Sequence, residues 1–179
     1  MNMDIKSLVN DLGLFKHPEG GYFKEVFRSE DKLIPLAERY QGKQRHAGTS
    51  IYYLLEGHDF SAWHRVLSDE TWHFYHGCPL NIYILTQTGA LETITLGDFS
   101  GIPLFQHTVK SNQWFAAQPV AKTSYSLVGC SVYPGFDFND FELGSREALL
   151  AQHPDKKEII ERFCITNQCL EMNLTQPSL

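Results

Sequence analysis

The chain has 179 residues, of which 42% are hydrophobic, 20% charged and 13% aromatic, and its 15 Lys and Arg against 21 Asp and Glu give a net charge of −6. No basic block stands out, which argues against a nucleic-acid partner. No apolar run approaches the roughly 20 residues that span a bilayer, and the N-terminus MNMDIKSLVNDLGL lacks the features of a secretory signal. We therefore expect a single cytoplasmic domain without membrane contact.

The N-terminal part predicts a short helix, a strand and a loop. Apolar residues at helical spacing indicate a helix over Asp4–Leu14. The segment HPEGGYF ends it, because Pro and a Gly–Gly pair interrupt regular structure. A first strand is predicted over Tyr22–Arg28. The polar stretch Ser29–Arg45 follows, and we interpret it as a loop able to act as a lid.

The middle of the chain is a series of short strands separated by Gly, Asp, Asn and Pro. Many short strands at near-regular spacing, with no helix between them, predict a sandwich or a barrel. The predicted strands are Thr49–Leu55, Ser61–Val66, Thr71–Tyr75, Leu80–Thr86, Ala90–Leu96, Gln106–Val109, Trp114–Ala117 and Ser124–Val132.

The C-terminal part predicts an aromatic closing segment and then helices. Phe136, Phe138 and Phe141 are interpreted as an edge strand that seals the barrel, and Ser145 as the N-cap of helices over Ser145–Phe163. The expected organisation is one domain over residues 1–179, with a barrel core at about 20–143, a helical extension at 144–166 and a frayed tail at 167–179. The chain has four cysteines without CxxC or zinc spacing, and we expect them to be reduced: Cys78, Cys130, Cys164 and Cys169.

The segment GHDFSAWHRVLSDETWHFYHG, residues 57–77, carries the candidate chemistry. Because side chains alternate across a strand, His64 shares a face with Val66, and Glu70 shares one with Trp72 and Phe74. If His64 and Glu70 both point inward, the interior combines an imidazole and a carboxylate with apolar walls, as small-molecule pockets do. The structural alternatives are a hydrogen-bonded core histidine and a Glu70 that pairs with Arg65.

Other residues are candidates for the same pocket. Tyr52 and Tyr53 are adjacent, so only one can point inward, and either is a candidate acid. The candidates for contact with a ligand are basic or aromatic: Arg28, Arg65, Trp72, Phe74 and Trp114.

Several segments together resemble the cupin superfamily, and more narrowly its DUF985 (Cupin_5) family. The match covers Leu12–Leu143, in the expected order, and the segments are HPEGGYFKEVFRS, TSIYYLL, SAWHRVLSDETWHFYHG, NQWFAAQP, LVGCSVYPGFDF and NDFEL. The resemblance implies a mainly β fold, the double-stranded β-helix or jelly-roll barrel of the cupins. It also implies a homodimer, since members are commonly dimeric.

The resemblance implies a metal site, but this chain has only some of the ligand residues of that site. His64 and Glu70 match two ligands of the first cupin motif, but Val66 stands where the second histidine belongs. In the second motif the stretch Lys110–Phe115 has lost its Pro and Gly, and Phe115 stands near the position of the missing histidine. Tight Fe(II) or Mn(II) binding needs at least three protein donors. We therefore predict no cofactor, and at most a weakly held divalent metal through His64 and Glu70.

The family also resembles metal-free sugar-nucleotide epimerases that share the barrel. That likeness implies His64 as general base, oriented by Glu70, with Tyr52 or Tyr53 as acid. The hypothesis is a metal-independent isomerase or epimerase acting on a carbohydrate-like small molecule. Two alternatives stay open: a non-catalytic ligand-binding or sensing protein, and an enzyme with a weakly bound metal.

Overall fold

The computed structural model describes residues 4–98, 101 and 103–165. Within these residues the chain is mainly β. The strands are β1 Phe15–Lys16, β2 Tyr22–Arg28, β3 Lys32–Leu33, β4 Arg45–His46, β5 Thr49–Glu56, β6 Ser61–Val66, β7 Asp69–Gly77, β8 Leu80–Leu85, β9 Leu91–Leu96, β10 Gln106–Val109, β11 Trp114–Pro119, β12 Tyr125–Tyr133 and β13 Phe141–Leu143. The helices are α1 Ile5–Leu12, α2 Arg146–Gln152 and α3 Lys157–Arg162, with 3-10 turns at Glu38–Tyr40, Phe138–Asp140 and Pro154–Lys156.

The strands form two antiparallel sheets that face each other. The first sheet has the order β1-β2-β5-β12-β7-β10 and the second has the order β13-β6-β11-β8-β9. Strands β3 and β4 form a separate two-stranded ribbon. The non-consecutive strand neighbours in both sheets are those of a jelly roll, as the sequence predicted.

Alternating side chains of the two sheets fill the space between them. The interior contains Tyr53 and Trp72 from the first sheet and Phe115 from the second, each at most 1% exposed. A second cluster, which includes Trp63 and Trp114, lies on the opposite face of the second sheet, under α2 and α3. The helical extension therefore covers the outside of the barrel and does not contribute to its interior.

The predicted strands between Tyr22 and Val132 are confirmed, three of them with the same bounds, Tyr22–Arg28, Ser61–Val66 and Gln106–Val109. The predicted edge strand of Phe136, Phe138 and Phe141 is instead a 3-10 turn at Phe138–Asp140 followed by the short β13. Ser145 caps α2 as expected, because its hydroxyl accepts a hydrogen bond from the backbone N–H of Ala148 at 3.2 Å. The stretch Ser29–Arg45 differs from the open loop that was predicted. It contains β3, the 3-10 turn and the start of β4, and it is anchored by the fully buried Tyr40. The predicted tail at 167–179 lies outside the described residues.

A buried ion pair ties this stretch to the closing segment of the barrel. Arg45 and Asp140 are 7% and 8% exposed and pair in a bidentate manner, with Arg45 Nε donating to Asp140 Oδ2 at 2.6 Å. The backbone carbonyl of Asp140 also accepts a hydrogen bond from Leu67, at the turn between β6 and β7. The pair therefore fixes the position of Phe141, the next residue, against β6.

Three cysteines fall within the described residues, Cys78, Cys130 and Cys164, and all three are free thiols. In the same part of the chain, none of the helices has the length and apolar character needed to cross a membrane.

We predict that Asp140→Asn destabilises the protein by about 3–5 kcal/mol, because it leaves the Arg45 guanidinium buried and uncompensated. Urea unfolding at neutral pH measures the change. The control is Glu142→Gln, which breaks the more exposed Arg65–Glu142 pair and is expected to cost at most about 1 kcal/mol. Equal losses in the two variants would contradict the structural role assigned to Arg45–Asp140.

Candidate functional site

The barrel interior holds a cluster of polar side chains around Glu19. His64 Nε2 lies 3.3 Å from Glu19 Oε2, and the Ser61 hydroxyl donates to Glu19 Oε1 at 2.8 Å. All three residues are buried. A carboxylate removed from water needs such partners, because its lost hydration is not otherwise replaced.

The turn HPEGG delivers Glu19 to this position. Gly20 and Gly21 have φ angles of +114° and +69°, and a Cβ on Gly20 would lie 2.2 Å from the carbonyl oxygen of Phe60. The two glycines therefore let the turn approach the barrel more closely than other residues permit. The Glu19 carbonyl then accepts a hydrogen bond from the backbone N–H of Ala62 at 2.9 Å. This contact sets Glu19 beside the N-terminal half of β6, where His64 lies.

Both ring nitrogens of His64 are engaged within the protein. Nδ1 lies 2.7 Å from the carbonyl oxygen of Ala62, and because a carbonyl only accepts, Nδ1 carries a proton. Nε2 faces the Glu19 carboxylate. An ionised carboxylate, like a carbonyl group, accepts hydrogen bonds but cannot donate them. The 3.3 Å approach packs the imidazole ring directly against the Glu19 carboxylate.

The electrostatics of Glu19 support its ionised form. Burial raises the pKa of Glu19, but attraction from His64 and His17 and the hydrogen bond from Ser61 outweigh it, and the pKa lies below its ordinary value. Burial also lowers the pKa of the His17 imidazole, against a weaker opposing attraction from Glu19. The Nδ1 atom of His17 accepts a hydrogen bond from the Glu19 backbone N–H at 3.3 Å. The 3.7 Å approach of this nitrogen to Glu19 Oε2 is therefore a contact rather than an ion pair.

Glu70, from β7, has the opposite electrostatic character. Burial raises the pKa of Glu70 to about 7, against a weaker opposing attraction from His64, and the Glu19 carboxylate adds to the increase. The interior thus holds two carboxyl groups whose environments separate their pKa values, which is the arrangement that acid–base sites use.

Six rings of the interior form a closed circuit, in which each ring contacts the next one. In order they are His17, Tyr53, Trp72, Phe115, His64 and Phe141, and adjacent centroids lie 5.8, 5.7, 6.0, 4.1, 5.5 and 6.2 Å apart. Both sheets and the HPEGG turn contribute to this aromatic ring circuit. Phe141 is the only member that is partly exposed, so it marks the side of the circuit nearest to solvent.

The alternation of side chains along β5 determines which of the two tyrosines points into the barrel. Tyr53 points inward, is 1% exposed and donates its hydroxyl proton to the carbonyl of Gly20 at 2.7 Å. Burial raises the pKa of Tyr53 well above its ordinary value. Tyr52 points to the outer face, where it contacts Tyr75 with centroids 6.1 Å apart.

The structure brings His64, Glu70, Tyr53 and Trp72 together and leaves the other predicted site residues elsewhere. Arg28 binds Glu25 at the end of β2, and Arg65 binds Glu142 while covering the ring of Trp114 on the outer face. Phe74 packs at the edge of the interior, with Phe105 as its ring neighbour at 6.5 Å.

Sequence reasoning missed Glu19 and His17. Both belong to HPEGGYF. The pattern of that segment predicted only a turn that ends a helix, and the segment was also part of the family resemblance. The available signal was the Gly–Gly pair, because consecutive glycines indicate close approach of the backbone to something else. The side chain of an ionisable residue directly before such a glycine pair is therefore a candidate to lie in the interior.

The donor set does not fit a cupin metal. One nitrogen of His64 binds Ala62 and the other faces Glu19, while Val66 and Phe115 occupy the positions of two further ligands. Within residues 4–98, 101 and 103–165, no group of three or more His, Cys, Asp or Glu side chains has an arrangement that would hold a metal ion. We derive no chemical step through a metal.

A groove of about 280 Å³ lies on the helical extension, far from this cluster in the fold. It is lined by Asp155, Lys156, Glu158, Ile159 and Arg162. Its walls are mostly exposed charged side chains without a buried polar group directed into it. It lacks the enclosed apolar walls typical of small-molecule sites, so the interior is the stronger candidate.

Comparison with known proteins identifies related chains. The sequence model of Cupin_5, described as cupin superfamily (DUF985), matches residues 6–144. A hypothetical protein from Leishmania major is 30% identical with a TM-score of 0.84, covering 92% of this chain and 100% of that one. A protein from Shewanella oneidensis is 34% identical with a TM-score of 0.81, covering 92% of this chain and 99% of that one.

A more distant likeness concerns the fold alone. Oxalate decarboxylase from Bacillus subtilis is 15% identical with a TM-score of 0.52, covering 83% of this chain and 36% of that one. A comparison with curated proteins gave no match.

We predict that Glu70 makes stability fall as the pH rises from 5 to 8. Its pKa of about 7 in the folded protein exceeds its ordinary value of 4.5, so the stabilisation is complete below about pH 4.5 and is lost as the pH passes through about 7. Relative to Glu70→Gln, the wild type should lose about 2–3 kcal/mol between pH 5 and pH 8. Urea unfolding at several pH values gives this difference.

The control for this pH series is Glu30→Gln, which changes an exposed carboxyl group in the segment after β2. Its difference from the wild type should stay flat, because an exposed carboxyl keeps its water on folding. A flat Glu70→Gln difference would contradict the neutral, desolvated state of Glu70.

Proposed function

Since the chain belongs to the DUF985 family of the cupin superfamily, we propose that its barrel interior binds a small carbohydrate-like molecule and moves a proton on it without a metal. The observation that carries the proposal is the pair of interior carboxyl groups with opposite pKa shifts, low for Glu19 and about 7 for Glu70. Such a pair supplies a proton acceptor and a proton donor at neutral pH. The reaction class is isomerisation or epimerisation.

The residues take the following roles. Glu19, held ionised by His64, accepts the proton that leaves a substrate carbon. His64 donates Nδ1–H to Ala62, and its Nε2 lies against the Glu19 carboxylate and fixes the orientation of that group. This differs from the sequence-based hypothesis of His64 as the base, because Nδ1 is bonded to Ala62 and Nε2 faces another carboxylate. Glu70 supplies the second proton, and Ser61 holds the other oxygen of Glu19.

A second candidate is a ligand-binding protein without catalysis. The observation that favours it is the engagement of both His64 nitrogens inside the protein. In that case the Glu19–His64 pair is a fixed dipole that orients a ligand. The two candidates differ in whether a bound molecule exchanges hydrogen with solvent.

We also propose that the protein forms a homodimer through β2. Strand β1 pairs with β2 only at Phe23 and Tyr22, and in the described part of the chain no strand pairs with that edge from Lys24 to Arg28. These five residues are exposed, including Val26 and Phe27 at 48% and 51%. An unpaired apolar strand edge is a template for association, and a second copy is the partner that cyclic symmetry favours.

We predict that the wild type exchanges a carbon-bound hydrogen of its substrate for deuterium. Proton NMR in D₂O over a panel of aldoses, ketoses, 2-oxo acids and nucleotide sugars detects the exchange. Glu19→Gln should slow it by about 10²–10⁴-fold, the usual contribution of a general base.

The matched control is His58→Asn, which changes the exposed His58–Glu56 pair and should leave the exchange unchanged. Ser61→Ala keeps both charged groups and should give an intermediate loss, since it removes one hydrogen bond to Glu19. Binding without exchange for every panel member would reject catalysis and leave the ligand-binding candidate.

We predict that the double change Val26→Asp and Phe27→Asp converts a wild-type dimer into a monomer, because it places charges at the proposed interface. Sedimentation velocity measures the state of each variant. Val120→Asp changes an exposed apolar residue on another part of the surface and should leave the dimer intact. A monomeric wild type, or a dimer that survives the double change, would contradict this interface.

A further inference from the structure

A buried hydrogen-bond donor in the interior lacks an acceptor. Trp72 is fully buried, and its indole Nε1–H is the one buried side-chain nitrogen or oxygen of the described residues without a hydrogen-bond partner. Leaving a buried donor unsatisfied costs about 1–3 kcal/mol, and native proteins contain few such groups. The unsatisfied Trp72 donor, with its energetic cost, lies within the candidate site.

The surroundings of Trp72 place this donor within the site. Its ring contacts Tyr53 and Phe115, its two neighbours in the aromatic ring circuit. The indole also lies near enough to Glu70 to favour the anion of that carboxyl group. The contact nevertheless falls short of hydrogen-bond geometry, so the N–H keeps its capacity to donate to another atom beside Glu70.

We infer that Trp72 Nε1–H and the Glu70 carboxyl group together bind a carbonyl oxygen of the substrate, which makes the substrate a small hydroxy-carbonyl compound. This inference rests on the proposed function, since it assigns the substrate class of the same interior. Two donors directed at one oxygen stabilise negative charge that develops there, and such donors are effective in a site closed to water.

The two carboxyl groups, one ionised and one protonated, give a balanced reaction. Glu19 accepts the proton from the hydroxyl-bearing carbon next to the carbonyl group, and the C–H electron pair forms the carbon–carbon double bond of an enediol. The carbonyl π electrons move to the oxygen, which takes the proton of Glu70 and a hydrogen bond from Trp72. To complete the isomerisation, the other hydroxyl of the enediol gives its proton to the Glu70 carboxylate and becomes the new carbonyl group, while Glu19 returns its proton to the former carbonyl carbon. No oxidant, reductant or metal enters the balance.

The test is the indole ¹H–¹⁵N spectrum of the wild type during titration with acetohydroxamate, a planar mimic of an enediol, in the presence of EDTA. The three tryptophans give three indole signals, and Trp72→Phe assigns the relevant one. We expect the Trp72 signal to move downfield, since its N–H gains an acceptor. Trp63 is an internal reference, because its Nε1–H already donates to the carbonyl of Ile159 at 3.2 Å.

Acetamide, which cannot form the enediol-like anion, should shift the Trp72 signal less than acetohydroxamate does. Trp72→Phe should weaken acetohydroxamate binding about tenfold, the value of one net hydrogen bond, and Glu70→Leu should weaken it by removing the second donor. Trp114→Phe, on the outer face of the barrel, is the matched control and should bind as the wild type does. The wild-type spectrum gives a result even if a variant fails to fold.

The outcomes separate this inference from the proposed function. A downfield shift of Trp72 without any deuterium exchange supports the carbonyl site and rejects catalysis. Deuterium exchange with an unmoved Trp72 signal supports the proposed function and overturns the inference. Equal shifts of the three indole signals, or no acetohydroxamate binding by the wild type, also overturn it.

Discussion

The burial of the Glu19 carboxylate is the constraint on which the rest of the site depends. Removing such an ion from water costs several kcal/mol, and the interior compensates with the His64 ring and the Ser61 hydroxyl. His64 is in turn fixed by the carbonyl of Ala62, whose own N–H binds the Glu19 carbonyl. Backbone and side chains thus connect the HPEGG turn to β6 in one short cycle.

That arrangement surrounds His64 with different side chains from those of the metal site that the resemblance implied. A histidine with a free nitrogen beside a carboxylate is a donor for metals. Here the nitrogen faces a carboxylate from outside the cupin motif, and Val66 and Phe115 contribute apolar surface where further donors were expected. Burial in the same interior raises the pKa of Glu70 through desolvation.

Periodicity was sufficient to predict the strands and much of the interior. Alternation along β6 and β7 separated inward His64 and Glu70 from outward Arg65, because the period of a strand is two. It could not choose between Tyr52 and Tyr53, since register depends on the partner strand. The same limit applies to β11, where Trp114 was predicted to contact a ligand. The inward residue is its neighbour Phe115, and Trp114 packs beneath the helical extension.

Glu19 shows the limit of pattern reasoning more clearly. Its environment is created by residues distant in sequence, and no local period in HPEGGYF reports their presence. Ser61 and Glu19 are 42 residues apart, and Arg45 and Asp140 are 95 apart. Only the two glycines signalled a close approach, without identifying the surface that is approached.

Those separations bear on how the protein folds. Closing a long loop costs entropy before the contact that rewards it forms, and folds dominated by distant pairings are slow to assemble. The Glu19 carboxylate and the His64 imidazole meet only after an N-terminal turn has docked on a strand that belongs to the second sheet. A nascent or partly unfolded chain therefore lacks the assembled Glu19–His64 pair, and any property of that pair is linked to completion of the fold.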